Sequence, residues 1–174
     1  MIDEKFVMEI LKSREERRDK QLDLIGKYKA SLISFTLNTP GIVKDNEMYR
    51  SIHKVGMKAI RALLKEEGIK ILHEEARNKS TGSEGFIVVE GDPRRIKEKL
   101  IELEMNHPLG RIFDIDVFDK EHRQISRSEL KVDPRRCLIC NQPARICIRE
   151  RNHTMEELYA KIESLWKEFI DEEI

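Results

Sequence analysis

Two aspartates separated by one residue are the part of the sequence best suited to phosphate chemistry. Asp114 and Asp116 lie within 111–118, where apolar and polar residues alternate as in a β-strand, so we expect both carboxylates on one face. Carboxylates about 7 Å apart along a strand repel each other unless a cation lies between them. Mg²⁺ prefers such oxygen ligands and completes its shell with substrate phosphates, as phosphoryl and nucleotidyl transfer require. The alternative is a solvated acidic strand face, and the spacing leaves both interpretations open.

A second candidate site consists of three cysteines and one histidine near the C-terminus. They are Cys137, Cys140, Cys147 and His153. This is the Cys₃His composition of structural zinc sites, although the spacing is shorter than in common zinc fingers. The alternative is that the cysteines are ordinary buried thiols and that the histidine precedes the last helix. Arginines interleaved with these residues, including Arg136 and Arg149, would suit a polyphosphate.

Basic and polar residues of the first helix and the first loop extend this list. Arg14, Arg17 and Gln21 have the spacing of residues on one helix face. A solvated charged face with internal ion pairs is the alternative for this helix. Asn38 begins an Asn-Thr-Pro-Gly run that Lys44 follows, which is either a phosphate-facing loop at a strand end or a turn with a surface lysine.

Composition limits the classes of protein to which the chain can belong. Its 174 residues carry 33 Lys plus Arg and 33 Asp plus Glu, and this neutral balance argues against a general nucleic-acid binder. The sequence contains no run of eighteen apolar residues and no apolar N-terminal stretch of signal-peptide length, so we expect no membrane span and no secretion. The three cysteines cannot all pair, which favours a reducing cytoplasm. Residues 131–153 nevertheless have a net charge of +4, which favours an anionic ligand there.

Hydrophobic periodicity predicts an α+β fold. A first helix over 1–29, with Leu11 and Leu22 in its apolar stripe and a natural stop at Gly26, precedes strand, helix, strand, strand, helix, strand within 30–120. This order is typical of the ferredoxin-like fold, an antiparallel sheet with two helices on one face. A Cys- and Arg-rich loop over 131–153 and an amphipathic helix over 154–174 follow. We expect a single domain over residues 1–174.

Two functions without catalysis compete with phosphate transfer. The same order of elements occurs in RNA-recognition modules, which stack bases on aromatic residues of the central strands. Phe35 and Phe86 have suitable positions, but aromatic residues make up only 6% of the chain. The other alternative is a zinc-stabilised interaction module whose acidic last helix binds a partner, with Asp114 and Asp116 dispensable.

Five motifs in a fixed order resemble one known family. They are Arg14-Glu15-x-Arg17-x₃-Gln21, Thr36-Leu37-Asn38-x-Pro40-Gly41-x₂-Lys44, His107-Pro108-Leu109-Gly110-Arg111-x₂-Asp114-Ile115-Asp116-Val117, Ile125-Ser126-Arg127, and Arg136-Cys137-Leu138-x-Cys140-x₃-Ala144-x₂-Cys147-x-Arg149-x₃-His153. Together they cover nearly the whole chain. They resemble the apo-citrate lyase phosphoribosyl-dephospho-CoA transferases, also called holo-citrate-lyase acyl carrier protein synthases.

The resemblance implies an enzyme of nucleotidyltransferase type. Its substrate would be 2′-(5″-triphosphoribosyl)-3′-dephospho-CoA. The enzyme would attach the phosphoribosyl-dephospho-CoA group to a serine of the citrate lyase acyl carrier protein (the γ chain) and release diphosphate. Asp114 and Asp116 would hold Mg²⁺, with Arg111 beside them. The substrate-binding residues would be Arg14, Arg17, Gln21, Asn38, Lys44, Arg127, Arg136 and Arg149.

Two further roles in such a reaction need residues outside these motif positions. Related enzymes commonly use a third carboxylate, for which Glu75 on a neighbouring strand is the best candidate. The serine must lose its proton, and a metal-bound position or a carboxylate is favoured over any of the five histidines. His107 is close in sequence to the aspartates, although a histidine followed by proline is equally a turn residue. We expect neither nucleic acid nor a membrane as a partner.

Overall fold

The computed structural model describes residues 3–173, which form five α-helices and four β-strands. The helices are α1 (Glu4–Tyr28), α2 (Glu47–Glu66), α3 (Pro93–Asn106), α4 (Ala144–Glu150) and α5 (Met155–Glu173). The strands are β1 (Ser31–Leu37), β2 (Ile71–Arg77), β3 (Glu84–Val89) and β4 (Phe113–Phe118). Residues 1, 2 and 174, which the predicted first and last helices included, lie outside the described residues. The predicted α+β class is confirmed.

The four strands form one antiparallel sheet in the order β2-β3-β1-β4. β1 lies between β3 and β4, so β4 is an edge strand with one partner in the sheet. The register pairs Ser34 with Asp116 and Thr36 with Asp114. Because paired residues of neighbouring strands point to the same side of a sheet, both aspartates share a face with these two hydroxyl side chains.

Helices cover both faces of the sheet. On one face Ile33 and Ile115 belong to the larger apolar core, which includes residues of α2, α3 and α5. On the other face Leu32 and Phe86 pack with Leu24 and Ile25 from the C-terminal half of α1. The alternation of these residues along β1 assigns Asp114 and Asp116 to the face that α1 covers.

The first helix ends where the predicted range of 1–29 does, but its stop residue and its buried face differ from the prediction. It continues past Gly26 to Tyr28 and ends at Lys29, whose φ is 54°. Leu11 and Leu22 are exposed, whereas Ser13 and Gln21 are buried. Polar side chains can face the sheet here because they find partners, and the Gln21 amide donates to Ser34 Oγ at 3.0 Å. The helix therefore turns a polar surface toward the half of the sheet that carries the aspartates.

Residues 131–153, which the sequence predicted as a loop, include a helix, α4. It follows a small bridge between Arg136 and Pro143, and it ends at Arg151, whose φ is 52°. α5 then begins with a capping box, in which Thr154 N donates to Glu157 Oε2 at 2.7 Å and Glu157 N donates to Thr154 Oγ1 at 3.1 Å. The prediction missed α4 because seven residues are too few to show a helical period.

The fold removes the basis for an RNA-recognition module. Phe35 and Phe86 have no exposed surface. Phe35 belongs to the core that α2 and α3 cover, and Phe86 packs with residues of α1. Neither ring is available to stack a base. Among the described residues, no helix is long and apolar enough to span a membrane.

Candidate active site and metal centre

A polar cavity of about 210 Å³ lies between α1, the end of β1 and the turn that joins β2 to β3. Five of the predicted site residues line it: Arg14, Arg17, Asn38, Lys44 and Asp114. They come from three separate parts of the sequence, and the antiparallel sheet with α1 across it brings them together. Three cations in one cavity with two carboxylates, Asp114 and Glu84, suit a polyphosphate with a metal ion.

Buried contacts hold the cations of this cavity in place. Arg17 Nη1 lies 3.8 Å from Glu84 Oε1, and Arg77 Nε donates to Glu84 Oε2 at 2.7 Å. Glu84 is only 2% exposed, so its charge is compensated by these two guanidiniums. Lys44 Nζ donates to the Thr39 carbonyl. Burial, and then the nearby Arg14, lower the pKa of Lys44, so an anion entering the cavity would find a lysine with little water around it.

The turn between β2 and β3 supplies a wall of the cavity that the sequence analysis did not identify. Thr81, Gly82, Ser83 and Glu84 all line the cavity. Thr81 Oγ1 donates to Ser13 Oγ of α1 at 2.7 Å, which joins the turn to the helix. The run of serine, threonine and glycine in this turn was a signal for an anion-binding loop. The spacing alone did not indicate that the turn folds back onto α1.

The two aspartates have different surroundings. The Asp114 side chain is 43% exposed, and its Oδ1 accepts from Arg135 Nη2 at 3.2 Å. Asp116 Oδ1 accepts from Gln124 Nε2 at 2.8 Å. Burial, and then the neighbouring Asp114 carboxylate, raise the pKa of Asp116 to about 6, although Lys97 and Arg135 act in the opposite direction. The pair thus includes one solvent-facing carboxylate and one that binds a proton readily, and a dication would relieve the repulsion between them.

Side chains of α3 bind the backbone of β4 at the edge of the sheet. Lys97 Nζ donates to the carbonyl of Ile115, and Glu104 Oε1 accepts from the N–H of Ile115 at 3.2 Å. Glu104 in turn pairs with Arg127 and, at 3.1 Å, with Arg135. Ile115, between the two aspartates, therefore has both of its edge-facing backbone groups hydrogen-bonded. These bonds prevent the edge of the sheet from pairing with another strand and hold Asp114 and Asp116 in place.

The remaining predicted residues lie outside the first cavity. Arg111, Arg127 and Arg136 line a second cavity of about 330 Å³ with Glu104 and Arg135. Arg111 Nη1 donates to the Cys137 carbonyl at 2.8 Å, so it joins the start of β4 to the cysteine-rich segment.

Three more of the predicted catalytic and substrate-binding residues, Asp116, Arg149 and Gln21, line neither cavity. The Arg149 side chain is 75% exposed and pairs with Glu150 at 3.1 Å. Gln21 is buried, and its amide binds Ser34 and His122. Gln21 therefore fixes α1 to the sheet in this structure.

The expectation that Glu75 lies on a strand next to the aspartates is wrong. Glu75 is on β2, at the opposite edge of the sheet from β4. With two strands between them, the separation is roughly 14 Å at about 4.8 Å per strand. Its carboxylate pairs instead with Lys20 and His73, each at 2.9 Å. The sequence gives the order of strands along the chain, whereas this prediction needed their order across the sheet.

His107 has the geometry of a turn residue. Its Nδ1 accepts from the backbone N–H of Leu109 at 3.0 Å, and its ring packs against Phe113 and Phe169. The ring is therefore engaged at the end of α3. Of the two interpretations of His107, the structure supports the turn.

The cysteines and the histidine converge into a compact cluster, formed by Cys137, Cys140, Cys147 and His153. Their four potential ligand atoms all lie within 4.8 Å of one another. Cys140 Sγ is 3.4 Å from both Cys147 Sγ and His153 Nε2, and the backbone N–H of Ile139 donates to Cys137 Sγ at 3.4 Å. The chain turns back before α4, where the Cys137 N–H donates to the Gln142 carbonyl and the Ala144 N–H to the Arg135 carbonyl, each at 2.8 Å, and Cys147 of α4 thereby meets the other ligands. A Cys₃His set of this size can hold a metal ion such as zinc.

Comparison with known proteins decides the family. The family model described as apo-citrate lyase phosphoribosyl-dephospho-CoA transferase matches residues 6–169. The chain belongs to this family. A relative of that name from Escherichia coli O7:K1 is 39% identical over 159 residues, which are 91% of this chain and 87% of the relative. Another of that name, from Shigella boydii serotype 18, is 38% identical over the same shares of each chain.

Membership confirms the resemblance that the five motifs indicate. The match to the transferase family includes the basic residues of α1, the loop after β1, both aspartates and the whole Cys/His cluster. The geometry adds that the basic residues of α1, the loop after β1 and Asp114 meet in one cavity, whereas the cluster lines neither cavity and is joined through the Cys137 carbonyl to Arg111.

Proposed function

We propose that this chain is the transferase that attaches the phosphoribosyl-dephospho-CoA group to apo-citrate lyase. Relatives that match 91% of the chain have this activity in their names. The observation that carries the proposal is the first cavity, in which the Asp114 carboxylate lies together with Arg14, Arg17 and Lys44. The cations would bind the phosphates of the substrate, and the carboxylate would be a ligand for a metal ion that supplies charge neutralisation at the reacting phosphate. We also propose that the sheet and its helices form a ferredoxin-like fold, which the element order and the strand order support, and that the chain is a single domain over residues 1–174.

The substrate is 2′-(5″-triphosphoribosyl)-3′-dephospho-CoA, and the acceptor is a serine of the acyl carrier protein of citrate lyase. The serine Oγ forms a bond to the α-phosphorus of the substrate. The bond from this phosphorus to the oxygen that bridges the α- and β-phosphates breaks, and diphosphate leaves with the electron pair. The serine proton passes to solvent or to a carboxylate. The product is a phosphodiester, and no cysteine is needed as a nucleophile.

The aspartates supply a donor set that fits Mg²⁺. Asp114 and Asp116 share a face of β4, and Thr36 Oγ1 lies beside Asp114. Hard oxygen ligands of this kind bind Mg²⁺, which supplies charge neutralisation when it is bound with the phosphates. Arg14, Arg17 and Lys44 orient the triphosphate, and Asn38 offers an amide to its oxygens. Arg111, Arg127, Arg136 and Arg149 remain predicted contacts for the rest of the substrate.

We also propose that the Cys/His cluster binds Zn²⁺ in a structural role. In a tetrahedral site with Zn–S bonds of about 2.3 Å, neighbouring sulfur ligands are about 3.8 Å apart. The distance of 3.4 Å from Cys140 Sγ to both Cys147 Sγ and His153 Nε2 is close to this value. Metal analysis of protein purified without added zinc tests the site. About one equivalent supports it, and less than about a tenth favours plain thiols.

The transfer is tested directly by the mass of the acceptor. The purified acyl carrier protein, incubated with this chain, the triphosphorylated substrate and Mg²⁺, should gain the mass of one phosphoribosyl-dephospho-CoA group. Asp114→Asn should lower the rate at least about 100-fold with the fold intact. Asp23→Asn is the matched control, because Asp23 is exposed on α1 away from the cavity lining. A fully active Asp114→Asn enzyme would contradict the metal site, and an unmodified acceptor would contradict the transfer.

A further inference from the structure

One arginine that the sequence analysis did not select as a site residue contacts the candidate catalytic pair. Arg135 Nη2 donates to Asp114 Oδ1 at 3.2 Å and to Glu104 Oε1 at 3.1 Å. Its side chain is only 24% exposed, so the contact is protected from most of the solvent. A single guanidinium thus divides its hydrogen bonds between a buried carboxylate and the proposed magnesium ligand.

The Cys/His segment holds this arginine in position. The backbone N–H of Ala144 donates to the Arg135 carbonyl at 2.8 Å, and Arg136 forms a bridge with Pro143. Arg111 donates to the Cys137 carbonyl at 2.8 Å, which ties the same segment to the start of β4. The backbone of Arg135 is therefore fixed, while its side chain can exchange one oxygen partner for another.

Charges at the β4 edge balance without any metal ion. The anions are Asp114, Asp116 and Glu104, and the cations are Lys97, Arg127 and Arg135. A dication entering alone would therefore meet no excess of negative charge, and it would compete with a guanidinium that is hydrogen-bonded to Asp114 Oδ1. A triphosphate brings its own negative charge and offers that guanidinium a new partner.

We propose that Arg135 occupies Asp114 in the ligand-free enzyme and transfers to the substrate's phosphates when Mg²⁺ and substrate bind together. This inference rests on the magnesium site of the proposed function. It makes Arg135 a residue with two successive partners. The ion-paired arginine weakens binding of the metal alone, and the released arginine strengthens binding of the polyphosphate. The enzyme therefore takes up the metal with its substrate rather than before it.

Titration with Mn²⁺ alone, followed by electron paramagnetic resonance of the free ion, tests the first half of this exchange. Arg135→Gln should bind Mn²⁺ about five- to tenfold more tightly than the natural protein, because an ion pair at Asp114 no longer competes. The same variant should have a KM for the triphosphorylated substrate about tenfold higher. A merely structural role would not produce tighter metal binding together with weaker substrate binding.

Three further variants make the result specific. Arg135→Lys keeps the charge and should bind Mn²⁺ nearly as the natural protein does. Arg145→Gln, at an exposed site in the same segment, should change neither quantity. The methionine side chain of Arg135→Met is long and uncharged. This variant is measured in place of Arg135→Gln if Arg135→Gln does not fold. Mn²⁺ affinity that is unchanged or weaker in both uncharged variants overturns the inference.

Asp114→Asn distinguishes this inference from the proposal on which it rests. If Mn²⁺ binds the natural protein and Asp114→Asn equally well, the ion is not at Asp114, and both the magnesium site and the exchange are wrong. If Asp114→Asn loses Mn²⁺ but Arg135→Gln does not gain affinity, the magnesium site stands and only the exchange is wrong.

Discussion

Removing the charge of Asp116 is expected to stabilise the protein while it impairs transfer. The pKa of Asp116 is raised to about 6 from an ordinary value of 3.8 by burial and by the Asp114 carboxylate. The folded protein therefore holds a proton on this side chain at pH values where the unfolded chain has already released it. The protonated form favours folding at low pH, and this contribution is lost as the pH rises through about 6. Above that pH the ionised carboxylate destabilises the fold.

The two pKa values set the size of this effect. A difference between about 6 and 3.8 corresponds to about 3 kcal/mol, at 1.36 kcal/mol for each pH unit. Asp116 is at a partly exposed edge of the sheet, where solvent screens part of the interaction, so we expect about 1–2 kcal/mol. Asp116→Asn keeps an oxygen to accept from Gln124 and removes only the charge. The variant should thus be more stable by this amount at pH 8 and within about 0.5 kcal/mol of the natural protein at pH 4, where the folded Asp116 is protonated.

Urea denaturation in buffer freed of divalent cations measures this difference, because urea is uncharged and leaves the ion pairs unscreened. Asp23→Asn, which removes an exposed carboxylate from α1, should stay within about 0.5 kcal/mol of the natural protein at both pH values. A pH-independent gain for Asp116→Asn, or a loss at pH 8, would refute the reasoning from burial and repulsion. The same variant should transfer the prosthetic group slowly, and stability gained with activity lost is typical of a side chain kept for function.

Three other perturbations test the cavity, the core and the Cys/His cluster. Lys44→Gln should raise the KM for the triphosphorylated substrate roughly tenfold in steady-state assays, because a charged contact to phosphate is lost; an unchanged KM would place the phosphates elsewhere. Gly56→Ala should destabilise the protein by about 1–3 kcal/mol in urea melts, since its Cβ would lie 2.3 Å from Phe35 Cζ in the core. Cys140→Ser should lower the Tm by at least about 5 °C in calorimetry, and a strong chelator should have this effect on the natural protein but not on the variant.

Sequence patterns predicted the elements because each has a strong local signal. The alternation around Asp114 and Asp116 indicated a strand, and the structure has β4 at Phe113–Phe118. Burial of Ile115 on the face opposite the aspartates follows from the two-residue period of a strand. The start of α3 at Pro93 agrees with the preference of proline for the first turn of a helix. Signals of this kind depend only on neighbouring residues.

Sequence patterns did not predict the features that depend on contacts between residues far apart in the chain. The apolar stripe assigned to α1 included Leu11 and Leu22, but the N-terminal half of the helix lies over polar groups of the sheet and the β2–β3 turn. The serine, threonine and glycine residues of the β2–β3 turn were visible in the sequence, but nothing in them indicated that Thr81 and Glu84 would face α1 across the cavity. Arg135 was overlooked for the same reason, since its contact with Asp114 spans 21 residues of sequence.

Asp114 and Asp116 lie on an edge strand, and this position allows a fixed pair of carboxylates to have, in the proposed exchange, a replaceable partner in Arg135. A central strand has both backbone edges bonded to neighbouring strands, whereas β4 leaves one edge for side chains. At this free edge, Lys97 and Glu104 bind the backbone of Ile115, and these two hydrogen bonds hold the strand in place between the two carboxylates. Glu104 also pairs with Arg135, which places a cation beside Asp114. In the proposed exchange, the residues that close the sheet edge would thus also set the charge that a metal ion and a triphosphate replace together.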